Sequence, residues 1–496
     1  ITKNSDGSID IAWEIREEAV WGDGTPITGY DVETSLKIIK NPHADCAPFR
    51  PYYENYDAIK IDVSNPKKFV VHSTLYHLAE NNIGDLPIMN SKVFDPKQLL
   101  KNFSLADLTN NIKNIENDVR LKEQGDFFNK SFNKSLPADA GSGPYQFEKW
   151  ESFQYVTISR KKSWWGDKVK DVDSVFISRP EKITFKVIDD MSTAVVALKG
   201  GEIDVMGAVP ARDFVEDFQK DFEFQKKFYL FTANSFTYSY IGLNTKNKKL
   251  KDVRVRRALS HLIDVDKIVE TVSYGLATRV NSFIHSTDAV NYAKDIPLKK
   301  YDLDVAKKLL NEAGWKDSNN DGVLDKLIDG KKVELEITLF FAKGSKAGEK
   351  IATYFQEGAR KAGVKIIILA KDGNVINEEK DKRKFEMVLS GWGSSSPAET
   401  DPKQIWHTSA DVDGGDNYVG FGNAASDAVI EKLRVTIDPL ERAKYYKELQ
   451  QMIDDEVPYI FLMEGKRKMA ISKRWGNVYP SATSPGYNVG EFTFIF

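Results

Sequence analysis

The sequence has one cysteine and only six histidines among its 496 residues. A single thiol, Cys46, closes no intramolecular disulfide and supplies no four-cysteine zinc site. No two histidines stand four residues apart, which is the spacing of a helical metal-binding pair. These scarcities exclude a disulfide-stapled scaffold and favour a protein without a resident cofactor.

Long apolar runs and an excess of one charge are also absent. The longest apolar runs reach about five residues, whereas a membrane-spanning helix needs ~20. Seventy Lys and Arg against 73 Asp and Glu give a net charge of −3. No membrane-spanning segment is therefore predicted, and a strongly basic nucleic-acid binder is excluded. The length predicts two to four domains.

Motifs of common enzyme classes are missing as well. The sequence lacks the G-x-S-x-G nucleophile elbow, the H-E-x-x-H zinc motif and the G-x-x-x-x-G-K-[ST] phosphate loop. We expect a protein that is not an enzyme. With 73 acidic residues, a hydrolase that uses two carboxylates stays open as an alternative.

A β–α–β unit is the clearest local pattern. Residues 333–341 alternate apolar and polar side chains, residues 346–362 have helical spacing and end at Gly363, and residues 364–370 are a β-branched run. Two parallel strands with a right-handed crossover are expected. A further strand over 385–390 leads into Gly391-Trp392-Gly393, so the predicted class is α/β.

The loop after that strand is the first candidate binding site. In open α/β sheets ligands bind beyond the carboxyl ends of strands. Glycine and serine let a backbone approach a ligand, and tryptophans form the floor of apolar pockets. The alternative is a core tryptophan with a solvated serine loop. The candidate residues are Trp392, Gly393, Ser394, Ser395, Ser396, Asp401 and Trp406.

Residues 233–243 form a second candidate element, a predicted strand rich in aromatic residues. By the two-residue period of strands, Tyr238 and Tyr240 share one face and Ser239 lies on the other. An extended peptide would bind such a strand through main-chain hydrogen bonds. The alternative is an ordinary hinge strand with interior tyrosines.

One acidic loop matches the start of a calcium-binding loop. Asp317, Asn319 and Asp321 stand at alternate positions before Gly322, and Asp325 follows. The twelfth position is Ile328, where a bidentate glutamate belongs. A polar turn is the competing interpretation.

Five stretches, in order along nearly the whole chain, carry a recognisable signature. They are Glu14 to Val32 with Trp21-Gly22-Asp23-Gly24-Thr25-Pro26 at its centre; Gly141 to Tyr145 with Trp164-Trp165-Gly166; Gly200 to Asp204; Asn244 with Asp252 to Leu259; and Gly391-Trp392, Asp401-Pro402 and Asn417 to Asp427. Together they resemble the oligopeptide/dipeptide/nickel-binding family of extracytoplasmic solute-binding proteins of ABC importers.

The resemblance implies a type II periplasmic-binding-protein-like fold with two lobes, an extra small domain, and a ligand cleft between the lobes. It implies mixed sheets flanked by helices. It adds Asn417 to the ligand region. The expected divisions are 1–6 and 136–236 with 469–496 in domain I, 7–135 in domain II and 237–468 in domain III, with crossings near Tyr238 and Lys468.

The same resemblance implies two partners: a peptide or other small ligand, and a membrane ABC permease. It implies a monomer in a periplasmic or extracellular, membrane-associated location. Family members carry a secretion signal and several dozen residues ahead of the first motif, and the sequence given begins at Ile1. Ligand capture is expected to proceed by hinge closure.

One position departs from the peptide-binding pattern. The family pattern G-W-x-x-D places an aspartate, which pairs with the α-ammonium group of the ligand, where this sequence has Ser395. Either Glu399 or Asp401 replaces it, or the ligand is a neutral solute such as an oligosaccharide. A nickel chelate, and a sensor or adhesin that has lost its ligand, are further alternatives.

Overall fold

The computed structural model describes residues 1–75, 85–131, 137, 140–169, 173–393, 401–436 and 438–495. Among the helices of these ranges, none has the length and apolar character needed to cross a membrane.

The N-terminal region folds around a four-stranded antiparallel sheet in the order β1-β2-β4-β3. Its first helix begins with a capping box between Thr28 and Asp31 and buries Val32, Leu36 and Ile39 at helical spacing. The elements are β1 (Thr2–Lys3), β2 (Ile9–Glu14), α1 (Gly29–Lys40), α2 (Arg50–Tyr53), β3 (Tyr56–Ile61), β4 (Lys68–Ser73), α3 (Ser91–Phe94), α4 (Leu105–Asn110), α5 (Ile112–Ile115) and α6 (Val119–Ser131).

The middle region holds a three-stranded antiparallel sheet in the order β5-β6-β7. A short π-helix over Asp213–Phe218 precedes the last helix and buries Phe214 and Phe218. The elements are β5 (Tyr145–Glu151), β6 (Tyr155–Arg160), β7 (Lys182–Lys186), α7 (Met191–Lys199), β8 (Val205–Met206) and α8 (Phe222–Lys227).

The C-terminal half is built on a seven-stranded mixed sheet in the order β10-β16-β9-β15-β13-β14, with β8 also paired to β16. Its elements are β9 (Phe228–Leu243), α9 (Val253–Ser260), α10 (Val265–Thr271), β10 (Ala277–Arg279), α11 (Leu303–Glu312), β11 (Asp325–Ile328), β12 (Lys331–Glu334), β13 (Glu336–Ala342), α12 (Lys346–Arg360), β14 (Lys365–Lys371), α13 (Gly373–Asp381), β15 (Met387–Gly393), α14 (Lys403–Trp406), α15 (Ala424–Val435), α16 (Pro439–Glu456), β16 (Tyr459–Ser472), β17 (Trp475–Gly476) and β18 (Thr493–Phe494).

The predicted β–α–β unit is confirmed. Strands β13 and β14 pair in parallel on either side of α12, and β15 joins β13 in parallel. Gly363 lies two residues after Lys361, the C-cap of α12, and has a φ of +77°. A residue without a Cβ therefore ends the helix there. Gly358 lies on α12 where an added Cβ would stand 2.0 Å from the carbonyl oxygen of Leu262.

Three strand predictions differ from the structure in their bounds. The stretch 333–341 is two strands, because Leu335 donates its N–H to the carbonyl oxygen of Leu324 and separates β12 from β13. Strand β15 spans Met387–Gly393 and not 385–390, and it ends three residues later than predicted because it stays paired with β9. Strand β9 begins at Phe228, five residues before the predicted start.

Both faces of the large sheet are covered. One core contains Val255, Leu259 and Phe355, and the opposite core is rich in aromatic side chains, among them Tyr240 and Trp406. Strands β9 and β16 pair from Tyr459 to Ser472 and continue into a third core with Phe228 and Ala470. The domain divisions stay a prediction. Strand β1 is hydrogen-bonded to β2, within the N-terminal sheet.

The buried side chain of Lys40 is expected to make the free energy of unfolding rise with pH. Its ammonium group is buried and donates to the Glu54 carbonyl oxygen at 2.9 Å and to Thr109 Oγ1 at 2.8 Å. Burial lowers the pKa of Lys40 to about 7, from an ordinary value of 10.5. Unfolding therefore takes up a proton between about pH 7 and 10.5, so the free energy of unfolding rises with pH through that window. Below about pH 7 Lys40 is charged in both the folded and the unfolded state, so its contribution no longer changes with pH.

Urea denaturation at pH 7.5, 8.5 and 9.5 measures this effect against Lys40→Met. We expect the free energy of unfolding of the wild type to rise relative to that of the variant, by up to about 1 kcal/mol per pH unit. Lys101→Met, on an exposed side chain, is the matched control and should run parallel to the wild type. Parallel curves for Lys40→Met as well would contradict the prediction.

Candidate functional site

Strand β15 ends in Gly391-Trp392-Gly393, beside the middle of β9. Trp392 is the register partner of Tyr238, and Gly391 is the partner of Ser239. A Cβ at Gly391 would lie 3.0 Å from the carbonyl oxygen of Tyr238, so a larger residue would push the two strands apart. The glycine therefore lets β15 stay paired up to its last residues and present Trp392 at the sheet end.

Aromatic rings form a continuous group around this strand end. The Trp392 indole N–H donates to the hydroxyl of Tyr459 at 3.0 Å. The Tyr459 ring stacks on that of Tyr240, with centroids 3.8 Å apart. Tyr238 lies 5.8 Å from Tyr240 and 5.7 Å from Phe461, centroid to centroid. Tyr238, Trp392 and Phe461 are partly exposed, whereas Tyr240 and Tyr459 are buried. Tyr238 and Trp392 are thus two rings of this group that a solute can reach.

Tyr238 and Tyr240 share one face of β9, as predicted, but differ in access. Tyr240 is wholly buried and its hydroxyl is hydrogen-bonded to that of Tyr418. The Tyr238 hydroxyl is buried without a hydrogen-bond partner among the described residues. Burial raises the pKa of both phenols above the usual range, so both are neutral.

Two predicted ligand residues lie behind this surface. Trp406 is 0% exposed and packs against Tyr459 and Phe421 at centroid distances of 4.8 and 5.4 Å. Asn417 is also buried, and its amide donates to the carbonyl oxygens of His407 and Phe421. In this structure both side chains are engaged inside the protein.

Asp401 was one candidate for the missing amine-pairing aspartate, and the structure gives it another partner. One carboxylate oxygen accepts from Arg434 Nε at 2.9 Å, and the other accepts from the N–H of Lys403 at 2.9 Å. Both side chains are almost completely buried. Asp401 thus caps the first turn of helix α14 and holds Arg434.

Arg434 is the centre of an ion cluster. Its Nη1 lies 2.7 Å from Glu54 and 3.2 Å from Glu431, in addition to the contact with Asp401. Lys403 Nζ lies 2.6 Å from the same Glu54 oxygen and 2.8 Å from Glu431. Burial opposes the guanidinium charge, but the surrounding carboxylates raise the pKa of Arg434 above its usual range.

The cluster joins two distant parts of the chain. Glu54 follows helix α2 of the N-terminal region, whereas Arg434 and Lys403 belong to helices of the C-terminal half. Arg434 Nη2 also donates to the carbonyl oxygen of Pro51 at 3.0 Å, and the Tyr52 hydroxyl is hydrogen-bonded to Gln404. The N-terminal region is therefore fastened to the C-terminal half next to the loop that follows β15.

The structure brings only part of the predicted site together. Gly393 is exposed at the end of β15. Ser394, Ser395, Ser396 and Glu399 lie outside the described residues. Their role in ligand binding stays a prediction.

The acidic loop uses its oxygens internally. Asp317 accepts from the N–H groups of Asp321 and Gly322, and Asp321 accepts from Val323 and Asn319. Asp325 is held by Ser318 and lies 3.1 Å from Lys332 Nζ. These bonds describe a polar turn. Within the described ranges, no group of three or more His, Cys, Asp or Glu could hold a metal ion, so the calcium hypothesis gains no support.

Glu464 is a residue that the sequence reasoning missed. It is 6% exposed and belongs to β16, where it is the register partner of Tyr238. The available signal was a single acid after the apolar run Tyr459 to Met463. Glu54 and Arg434 were also missed, and no local pattern could have linked two residues 380 positions apart.

The mixed α/β sheets and long crossing strands are those of type II periplasmic binding proteins. The structure aligns over 99% of this chain and 88% of the oligopeptide-binding protein AppA from Bacillus subtilis in complex with a nonapeptide, with a TM-score of 0.80 and 25% identity. It aligns over 99% of this chain and 89% of NikZ from Campylobacter jejuni in complex with Ni(L-His), with a TM-score of 0.74 and 25% identity.

The chain belongs to the bacterial extracellular solute-binding proteins, family 5 Middle, whose model matches residues 2–413. The sequence is 32% identical over 389 residues to the oligopeptide-binding protein AppA of Bacillus subtilis (strain 168), covering 77% of this chain and 63% of the relative. It is 25% identical over 345 residues to the glutathione-binding protein GsiB of Shigella flexneri serotype 5b, covering 67% and 60%. These matches span less than two thirds of either relative. The predicted family and fold class are confirmed.

Proposed function

We propose that the protein is the extracytoplasmic solute-binding component of an ABC importer and captures an oligopeptide or a similar solute. The observation that carries the proposal is the pair of accessible rings, Trp392 and Tyr238, at the end of β15, in a fold shared with AppA bound to a nonapeptide. The cargo is then delivered to a membrane permease. No bond is made or broken, so no catalytic residue is assigned.

Capture would proceed by closure of the C-terminal half over the solute. Strands β9 and β16 are the two connections about which the C-terminal half would move relative to the rest of the protein. Closure is favoured only when the solute contacts both sides. A micromolar dissociation constant corresponds to about −8.2 kcal/mol, which is ample to drive such closure.

Native mass spectrometry of the purified protein, compared with its denatured mass, tests the proposal. We expect a ladder of adduct masses that fit peptides, and a Trp392→Ala variant that retains much less of it. One discrete adduct that fits a saccharide or a nickel chelate would replace the peptide assignment with that solute. Turnover of added peptides would overturn the proposal and favour the hydrolase alternative.

A further inference from the structure

Glu464 stands in one row with the accessible aromatic residues. Across the sheet, Thr278, Glu464, Tyr238 and Trp392 are consecutive register partners on β10, β16, β9 and β15. Neighbouring strands lie about 4.8 Å apart, which places the Cα atoms of Glu464 and Trp392 roughly 10 Å from each other. Directly opposed residues project from the same face of a sheet, so Glu464 shares the face of Tyr238.

The Glu464 carboxylate is held in place by neutral donors. One oxygen accepts from the N–H of Ser286 at 2.8 Å, and the other accepts from its hydroxyl at 2.6 Å. His285 Nε2 lies 3.4 Å from the carboxylate but also 3.1 Å from the carbonyl oxygen of Ser235. The His285 Nδ1 faces the hydroxyl and N–H of Thr287. His285 Nε2 is therefore shared between the Glu464 carboxylate and a main-chain carbonyl oxygen.

Glu464 therefore lacks a permanent cationic partner. Among the described residues, no Lys or Arg nitrogen lies within ion-pair distance of its carboxylate, which is 6% exposed. Burying an unpaired carboxylate costs several kcal/mol, and buried charges in proteins are normally paired. Tyr238, its register partner on β9, has a buried hydroxyl with no hydrogen-bond partner in the same ranges. The Glu464 carboxylate thus lacks a lysine or arginine partner, which a cationic solute would supply.

We propose that Glu464 binds a cationic group of the solute, either the α-ammonium of a peptide or the side chain of a lysine or arginine. This inference rests on the proposed function. It also answers the departure at Ser395, because Asp401 is already paired with Arg434. Glu464 then supplies the negative charge from β16, two strands away from Trp392.

Competition by native mass spectrometry tests the assignment with three defined probes: penta-alanine, N-acetyl-penta-alanine amide, and N-acetyl-Ala-Ala-Lys-Ala-Ala amide. Penta-alanine and the lysine peptide each carry an ammonium group. Wild-type protein should prefer either of them over the neutral N-acetyl-penta-alanine amide by on the order of tenfold to a hundredfold. Glu464→Gln should lose that preference. Glu464→Asp, which keeps the charge, should retain the preference.

Glu448→Gln, an exposed acid on α16, is the matched control and should behave as the wild type. An unchanged preference in Glu464→Gln would overturn the inference and leave the proposed function standing. A wild type that binds all three probes equally would also overturn it. Failure of every probe to bind wild type would instead overturn peptide capture, and this inference with it. Should Glu464→Gln fail to unfold cooperatively, a lost preference in Glu464→Asp would count against the assignment.

Discussion

Replacing Arg434 by methionine is expected to lower the free energy of unfolding by about 3–5 kcal/mol. The guanidinium is 1% exposed and contacts carboxylates of Asp401, Glu54 and Glu431. Methionine fills much of the volume but takes away the cationic partner of the buried Asp401 carboxylate, while Glu54 and Glu431 keep Lys403 Nζ. Chemical denaturation followed by tryptophan fluorescence measures the loss.

The matched control is Lys432→Met, which removes an exposed cation from the same helix, α15. It should change the free energy of unfolding by no more than about 0.5 kcal/mol. Equal losses in the two variants would mean that the buried cluster contributes no more to the free energy of unfolding than one exposed cation does. A loss below about 1 kcal/mol for Arg434→Met would contradict the prediction directly.

Glu54→Gln separates the two functions of the cluster. It keeps the pair between Arg434 and Asp401 but weakens the connection to the N-terminal region, because Glu54 accepts from both Arg434 and Lys403. We expect a smaller loss of stability than in Arg434→Met. Small-angle scattering should give a larger radius of gyration if the contact holds the two regions together, and an unchanged radius would show that other contacts suffice.

Replacing Trp406 by alanine should cost about 3–5 kcal/mol of unfolding free energy, the range for a large core aromatic residue. Its ring is wholly buried among Phe283, Phe421 and Tyr459. Trp392→Ala should cost less, because that ring is partly exposed. When binding is expressed per folded molecule, the order should be reversed. Trp392→Ala should then lose more peptide binding than Trp406→Ala.

Trp406→Phe provides the internal control. The Trp406 indole N–H has no hydrogen-bond partner in the described ranges, so phenylalanine sacrifices volume and no hydrogen bond. We expect a clearly smaller loss than for alanine. If Trp406→Ala weakened peptide binding more than Trp392→Ala at equal folded fraction, Trp406 would belong to the ligand surface after all.

Local pattern predicted much of the C-terminal half. The β–α–β unit from Glu336 to Lys371 follows from hydrophobic periodicity and a glycine stop, both of which act over a few residues. The break at Leu335 escaped the same reasoning. That residue pairs with Leu324, and alternation within a strand carries no information about which neighbour each half selects.

The candidate site was predicted less completely. Trp392 and Tyr238, which the sequence offered as candidate ligand residues on separate elements, are register partners, and their role in ligand binding stays a prediction. Trp406 and Asn417 are buried, and residue type alone does not tell whether an aromatic ring or an amide faces a cleft or a core. Asp401 likewise carried a charge whose partner, Arg434, lies 33 residues away.

The sequence by itself determined the family, the α/β class and the strand that leads into Trp392, because motifs and periodicity are properties of short stretches. Only the tertiary structure decided which charged groups pair with one another and which lack a lysine or arginine partner. Arg434 meets Glu54 across 380 positions, and Glu464 meets Tyr238 across two long strands. Such contacts arise from the packing of whole elements, where the cost of burying a charge selects the partners.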